Sequence, residues 1–206
     1  MPQTDPIDFW FSIGSMYTFL TVMRIDRVED TMDIRFVWRP FSVRAIMIEM
    51  DNRPASKPKK LEYMWRDLHR RAEMYGFAFE GEAPYPLKKF DLANRVAVVG
   101  AREGWCEDYV RATYRRWFVD KQECGDEPNL SDSLREIGED PRRVIPLAES
   151  DEITAAYDAA TEEARTRGIF GAPTFVTRGE AFWGDDRLED AVTWHQHGTL
   201  GAPRAP

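Results

Sequence analysis

Four short stretches of this 206-residue chain carry side chains able to do or support chemistry. Ser15 stands where an alternating segment gives way to a helical one, so its hydroxyl and the following N–H groups would favour an anion at a helix N-terminus. There the hydroxyl either caps the helix or donates a hydrogen bond to a bound thiolate. A free thiol titrates near about 8.5, and one charge-assisted hydrogen bond plus the helix dipole would lower that by about one to two units. Ala172 and Pro173 follow a glycine-rich run, GIFG, and open a strand. A cis bond between them would turn the N–H and C=O of Ala172 outward, to pair with a short extended ligand; the alternative is an ordinary trans proline. Asp185 and Asp186 either cap the last helix or bind a ligand ammonium group. Asn52 to Lys60 places four cations, Arg53, Lys57, Lys59 and Lys60, within eight residues. It reads as a solvated basic loop or, because Lys59 and Lys60 oppose the dipole of the helix expected from Leu61, as part of a site.

Other chemistries find little support. The only two cysteines, Cys106 and Cys124, form no CxxC, so dithiol exchange is not expected. His195, His197 and His69 lack thiol or carboxylate partners at ligand spacing, so no metal site is expected. There is no GxGxxG, Walker loop or GxSxG. A net charge of −8, from 28 Lys+Arg against 36 Asp+Glu, argues against nucleic-acid binding. That charge is uneven: residues 120–163 sum to −10 and the remainder to +2. With no secretory signal and no apolar run near the ~18 residues a membrane span needs, a cytoplasmic protein off the membrane is expected.

The elements that must position these residues follow from periodicity. Ile7, Phe9, Phe11 and Ile13 alternate with Asp8, Trp10 and Ser12, predicting a strand; a helix over 16–31 and a second strand at Ile34, Phe36 and Trp38 follow. From about 41 to 165 the period is helical. The stripes are Leu61–Trp65–Leu68–Ala72, Leu92–Val96–Val99, Val110–Tyr114–Trp117 and Ile153–Tyr157–Ala164, with breaks at Pro84, Pro86, Pro128, Pro141 and Pro146. Strands return at Pro173–Arg178 and Glu180–Trp183, joined by a turn at Arg178-Gly179, before a helix over Asp186–His195. The order βαβ, helices, ββα predicts an α/β thioredoxin-like fold interrupted by a large all-helical insertion. The expected divisions are 1–40 and 165–197 for the thioredoxin-like domain, 41–164 for the insertion, and 198–206 for a flexible tail. In such folds the slot at Ser15-Met16-Tyr17-Thr18 holds the attacking cysteine.

The stretches DFWFSIGSMYTFL (8–20), NRPASKPKKLEYMWRDL (52–68) and GIFGAPTFVTRGEAFWGDDRL (168–188) together resemble the 2-hydroxychromene-2-carboxylate isomerases and the kappa-class glutathione transferases. These are thioredoxin-like proteins related to bacterial periplasmic disulfide oxidoreductases. The resemblance spans about 7–195. It implies glutathione as cofactor, Ser15 as the catalytic group on its sulfur, and Asn52, Lys60, Ala172, Pro173, Asp185 and Asp186 as binding residues. It further implies a homodimer, an aromatic or electrophilic small-molecule substrate and a role in aromatic-compound catabolism. The leading expectation is a glutathione-dependent isomerase. The alternatives are a kappa-like transferase, or a non-catalytic glutathione- or peptide-binding protein. Tyr63, Trp65 and Trp117 either line an acceptor pocket or belong to the core. Two positions depart from the family pattern: Met16 stands in place of proline, and Asp185 in place of a neutral polar residue. A carboxylate at 185 would repel a γ-glutamyl carboxylate unless it turns away or binds the amine.

Overall fold

The structure, a computed structural model, describes residues 6–201. Its sheet has four strands: β1 (Ile7–Phe11), β2 (Phe36–Pro40), β3 (Thr174–Thr177) and β4 (Glu180–Trp183), in the order β2-β1-β3-β4. β1 runs parallel to β2, with Phe9 opposite Trp38, and antiparallel to β3, with Phe9 opposite Phe175. The Phe9 and Phe175 rings stack at 5.4 Å and Trp38 meets Phe9 edge-on at 4.8 Å, so the register is held by cross-strand aromatic pairs. The alternation expected of β1 gives it one polar face, yet Trp10 and Ser12 are as buried as Phe9 and Phe11. The central strand β1 is thus buried on both faces, as a strand with a parallel neighbour requires.

The helix expected over 16–31 is two, α1 (Met16–Val22) and α2 (Ile25–Met32). The chain breaks at Met23-Arg24 so that the Arg24 guanidinium turns inward to a buried carboxylate, described below. Between β2 and β3 lie seven helices: α3 (Val43–Glu49), α4 (Pro58–Met74), α5 (Phe90–Glu103), α6 (Cys106–Phe118), α7 (Asn129–Glu136), α8 (Pro141–Ala148) and α9 (Asp151–Thr166). Pro141 begins α8 at N1 as expected, but Pro146 lies inside that helix rather than ending it. It forfeits only the bond to Arg142 C=O, one turn from the helix end. The four apolar stripes fall on α4, α5, α6 and α9. Phe19 of α1 stacks on Phe118 of α6 at 3.9 Å, tying the first helix to the helical part.

The last helix, α10, runs Leu188–His197, preceded by a 3-10 turn over Asp185–Arg187 rather than starting at Asp186. Arg178 and Gly179 both take positive φ, 49° and 81°, in the β3–β4 turn, and Arg178 donates from Nε to His195 O at 2.7 Å. Of the expected tail, residues 198–201 carry no helix or strand; 202–206, like 1–5, lie outside the described residues. No helix among the described residues is long and apolar enough to cross a membrane.

Candidate active site

Ser15 sits between the end of β1 and α1, and three buried contacts fix it there. Asn94 of α5 accepts from Ile13 N at 2.7 Å and returns its amide N–H to Ile13 O at 2.9 Å. The Tyr114 hydroxyl of α6 lies 3.1 and 3.0 Å from the carbonyl oxygens of Ser12 and Ser15. Gly14 takes φ +112°, and a Cβ there would stand 2.6 Å from the Phe90 ring, so only glycine allows this approach. Tyr114 escaped notice in the sequence because it lies on the Val110–Tyr114–Trp117 stripe, and Asn94 because it falls off the Leu92–Val96–Val99 stripe. For Tyr114 the available signal was a polar tip on a residue predicted to be core, since such groups are buried only with partners. Burial pushes the Tyr114 hydroxyl well above its ordinary range, which keeps it a neutral donor.

Ser15 does cap α1, its Oγ accepting from Thr18 N at 3.3 Å. The same oxygen donates to Ala172 O at 2.7 Å, joining two residues 157 apart in sequence. The Ala172–Pro173 bond is cis. Pro173 O accepts from Gly184 N at 2.9 Å, so the approach to β3 and the exit from β4 are held side by side. Ala172 is 6 % exposed and its N–H has no partner among the described residues. Ala172 lines the cavity, where an N–H without a partner can donate to a ligand.

The two aspartates do different work. Asp185 is 2 % exposed. Its Oδ1 accepts from Thr21 Oγ1 and Arg24 Nε, both at 3.0 Å, and its Oδ2 from Tyr75 Oη at 2.8 Å. Arg24 also donates to Asp185 O at 2.6 Å and pairs with Glu189. Burial raises the Asp185 carboxyl, against the pull of Arg24 and the three hydrogen bonds. The carboxylate thus turns away from the cavity, the first of the two arrangements that relieve the repulsion expected at 185. Asp186 stays exposed, 3.7 Å from Arg71 and 3.4 Å from Arg187.

Across from Ser15, Lys60 donates to Asn52 Oδ1 at 2.7 Å. Burial, and then Lys57, lower the Lys60 ammonium. The helix expected from Leu61 begins at Pro58, so Lys59 and Lys60 lie inside its first turn, with no acidic residue there to offset them. Tyr17 donates to Asp67 at 3.0 Å, and Arg71 Nε joins the same oxygen at 3.3 Å. Tyr17, Asp67, Arg71 and Asp186 therefore form one polar wall. Asp67 belongs to the helix motif quoted above, but nothing in its spacing announced this role.

Of the residues expected to form the site, Ser15, Asn52, Lys60, Ala172, Asp185 and Asp186 line one cavity of about 510 Å³ together with Tyr17, Asp67 and Arg71, and Pro173 does not; the size suits a small molecule. Its apolar lining includes Met16, Met47, Tyr63, Phe90, Phe170 and Trp183. Of the aromatics considered for an acceptor pocket, Tyr63 lines it, whereas Trp65 and Trp117 are buried core, Trp117 donating to Pro84 O at 2.7 Å. Both cysteines are buried away from it and burial pushes their thiols up. A nucleophilic sulfur in this cavity must arrive with a ligand.

Comparison with known proteins places the family and the fold. The DSBA-like thioredoxin domain family matches residues 6–193. A 2-hydroxychromene-2-carboxylate isomerase of Sphingobium xenophagum is 25 % identical over 190 residues, covering 91 % of this chain and 96 % of its own. Glutathione S-transferase kappa 2 of Caenorhabditis elegans is 23 % identical, over 91 % and 90 %. The solved structure of a 2-hydroxychromene-2-carboxylate isomerase superposes with a TM-score of 0.82 at 22 % identity, covering 96 % of this chain and all of the other.

Proposed function

This chain belongs to the DSBA-like thioredoxin domain family, and on that premise we propose that it is a glutathione-dependent isomerase of aromatic enoic acids. The observation that carries the reading is the meeting of Ser15 Oγ, the unpartnered Ala172 N–H and no cysteine in one cavity of about 510 Å³. Two relatives bear names from the two branches, isomerase and glutathione transferase, which supports an enzyme of this kind.

The residues present fit glutathione. The Ala172 N–H takes the carbonyl of its cysteine unit, the ligand lying along the chain edge before β3 as an added strand. Asn52 and Lys60 face its glycyl end. Asp186 and Arg71 offer a carboxylate and a guanidinium to the ammonium and carboxylate of its γ-glutamyl end. Ser15 turns its proton from Ala172 O toward the sulfur, so the thiolate gains a donor at the N-terminus of α1. Bound there, glutathione would supply a thiolate nucleophile for reversible addition to an activated double bond, the chemistry a cis–trans isomerisation needs. Tyr17 stays a protonated donor on the opposite wall, because burial and Asp67 raise its hydroxyl. The apolar lining excludes water around the aryl group.

Incubating a cis-configured aromatic enoic acid with glutathione at one-tenth of its concentration tests the proposal. The expected result is many equivalents of trans isomer with the free thiol count unchanged. Thiol consumed one for one would instead assign a transferase. No turnover would leave a binding protein.

A further inference from the structure

Arg44 is the second residue of α3, where a helix dipole disfavours a cation. It is half-buried in the cavity wall, and among the described residues no carboxylate lies within ion-pair distance of it. Asp91 acts on its charge from farther off and lies 3.4 Å from the Tyr157 hydroxyl. The guanidinium carbon lies over the Phe90 ring, 4.0 Å from its centroid, and Nη2 donates to Leu87 O at 2.8 Å. That uses one of five N–H donors and leaves the others to a ligand. Burial lowers its basicity, so the charge gains from an anionic partner.

Phe90 also sets where this charge stands relative to the chemistry. The same ring closes over Gly14, at 2.6 Å from where its Cβ would be, and Gly14 precedes Ser15. Arg44 is therefore one ring away from the nucleophile's seat. It stands on the wall built from 85–90, with Tyr85 and Leu87, whereas Ala172, Trp183 and Asp186 come from the β3–β4 side. A planar acid lying between Phe90 and the Trp183 side would bring its carboxylate to Arg44.

We propose that Arg44 is the specificity-determining residue for the acceptor, holding the carboxylate of an aryl-substituted acid while the apolar lining holds its ring. The proposal deepens the isomerase reading and rests on it for the reaction, but not for the binding step. The same guanidinium chemistry would fit the glycyl carboxylate of glutathione, so the test must separate the two.

Cinnamate and its uncharged isostere cinnamamide are titrated, without glutathione, into wild type, Arg44→Gln and Arg44→Lys, followed by calorimetry and tryptophan fluorescence. Glutathione is titrated separately into each. Wild type should prefer cinnamate over cinnamamide by about 10- to 100-fold, the worth of a charge-assisted fork. Arg44→Gln should abolish that preference with cinnamamide and glutathione affinities within about twofold of wild type, and Arg44→Lys should keep part of it. Equal loss of both probes would make Arg44 a prop for the 85–90 wall and overturn the proposal. So would a loss confined to glutathione. Should glutathione fail to bind any form while the cinnamate preference still follows Arg44, the carboxylate site stands and the glutathione reading falls.

Discussion

Ser15 Oγ has one proton, and in the structure it goes to Ala172 O at 2.7 Å. Serving a thiolate therefore costs a rotation about one side-chain bond and no backbone movement. Asp185 and Asp186 show how little residue type says about role. Weakening the buried Arg24–Asp185 pair by Asp185→Asn should destabilise the chain by roughly 1–3 kcal/mol, because Arg24 would keep only the exposed Glu189 as its counter-charge. Asp186→Asn should change stability by no more than about 0.5 kcal/mol, as surface substitutions do, while weakening glutathione about tenfold. Urea denaturation and calorimetry on the two variants give both quantities. The sequence alone brings out Ser15, Ala172 and Asp186 because each lies next to a strand end, where a thioredoxin-like fold places its chemistry. It does not separate Asp185 from Asp186, since the difference lies in Thr21, Arg24 and Tyr75, up to 164 residues away. Asn94 and Tyr114 were hidden for the same reason: their partners are carbonyl and amide groups of a distant loop.

Elements set what those residues can do. Tyr75, the C-cap of α4, reaches the turn before α10 through its hydrogen bond to Asp185. Burial, and then the Asp185 charge, push its hydroxyl up to about 12. A phenol raised in the folded state lends stability that is complete below its unfolded value of about 10 and lost as the pH rises through 12. Tyr75→Phe should thus cost about 1–2 kcal/mol at neutral pH and flatten the decline in stability between pH 10 and 12. Denaturation midpoints across that range measure it, and an unchanged slope would show that the hydroxyl is not held by Asp185. The helical stripes were readable because each buries one face at 3.6-residue spacing. The break at Met23-Arg24 was not, because Arg24 leaves the helical path for a tertiary partner, and Pro146 misled because a short helix survives the loss of one bond.

At the scale of the molecule, the cavity joins the two ends of the sheet-bearing part, near residues 14–17 and 170–186, to α3, α4 and the loop before α5. None of its lining residues lies between 91 and 169. The acidic stretch 120–163, which carries a net −10, therefore does not line it, and an overall charge of −8 is no obstacle to an anionic tripeptide. Because the ligand would bridge both parts, glutathione at 100 times its dissociation constant should raise a single unfolding transition, adding about 2.7 kcal/mol. Differential scanning calorimetry checks this; two transitions with only one responding would mean that the parts unfold separately and the ligand touches one of them.

The central claim is that Ser15 stabilises a thiolate that the chain does not itself carry. Difference absorbance near ~240 nm, followed from pH 5 to 10 with glutathione bound to wild type and to Ser15→Ala, measures that directly. The wild type should hold the bound thiol about one to two units below its free value, and Ser15→Ala should return it most of the way with binding largely kept. Identical titration curves for the two proteins, with glutathione bound in both, would contradict it.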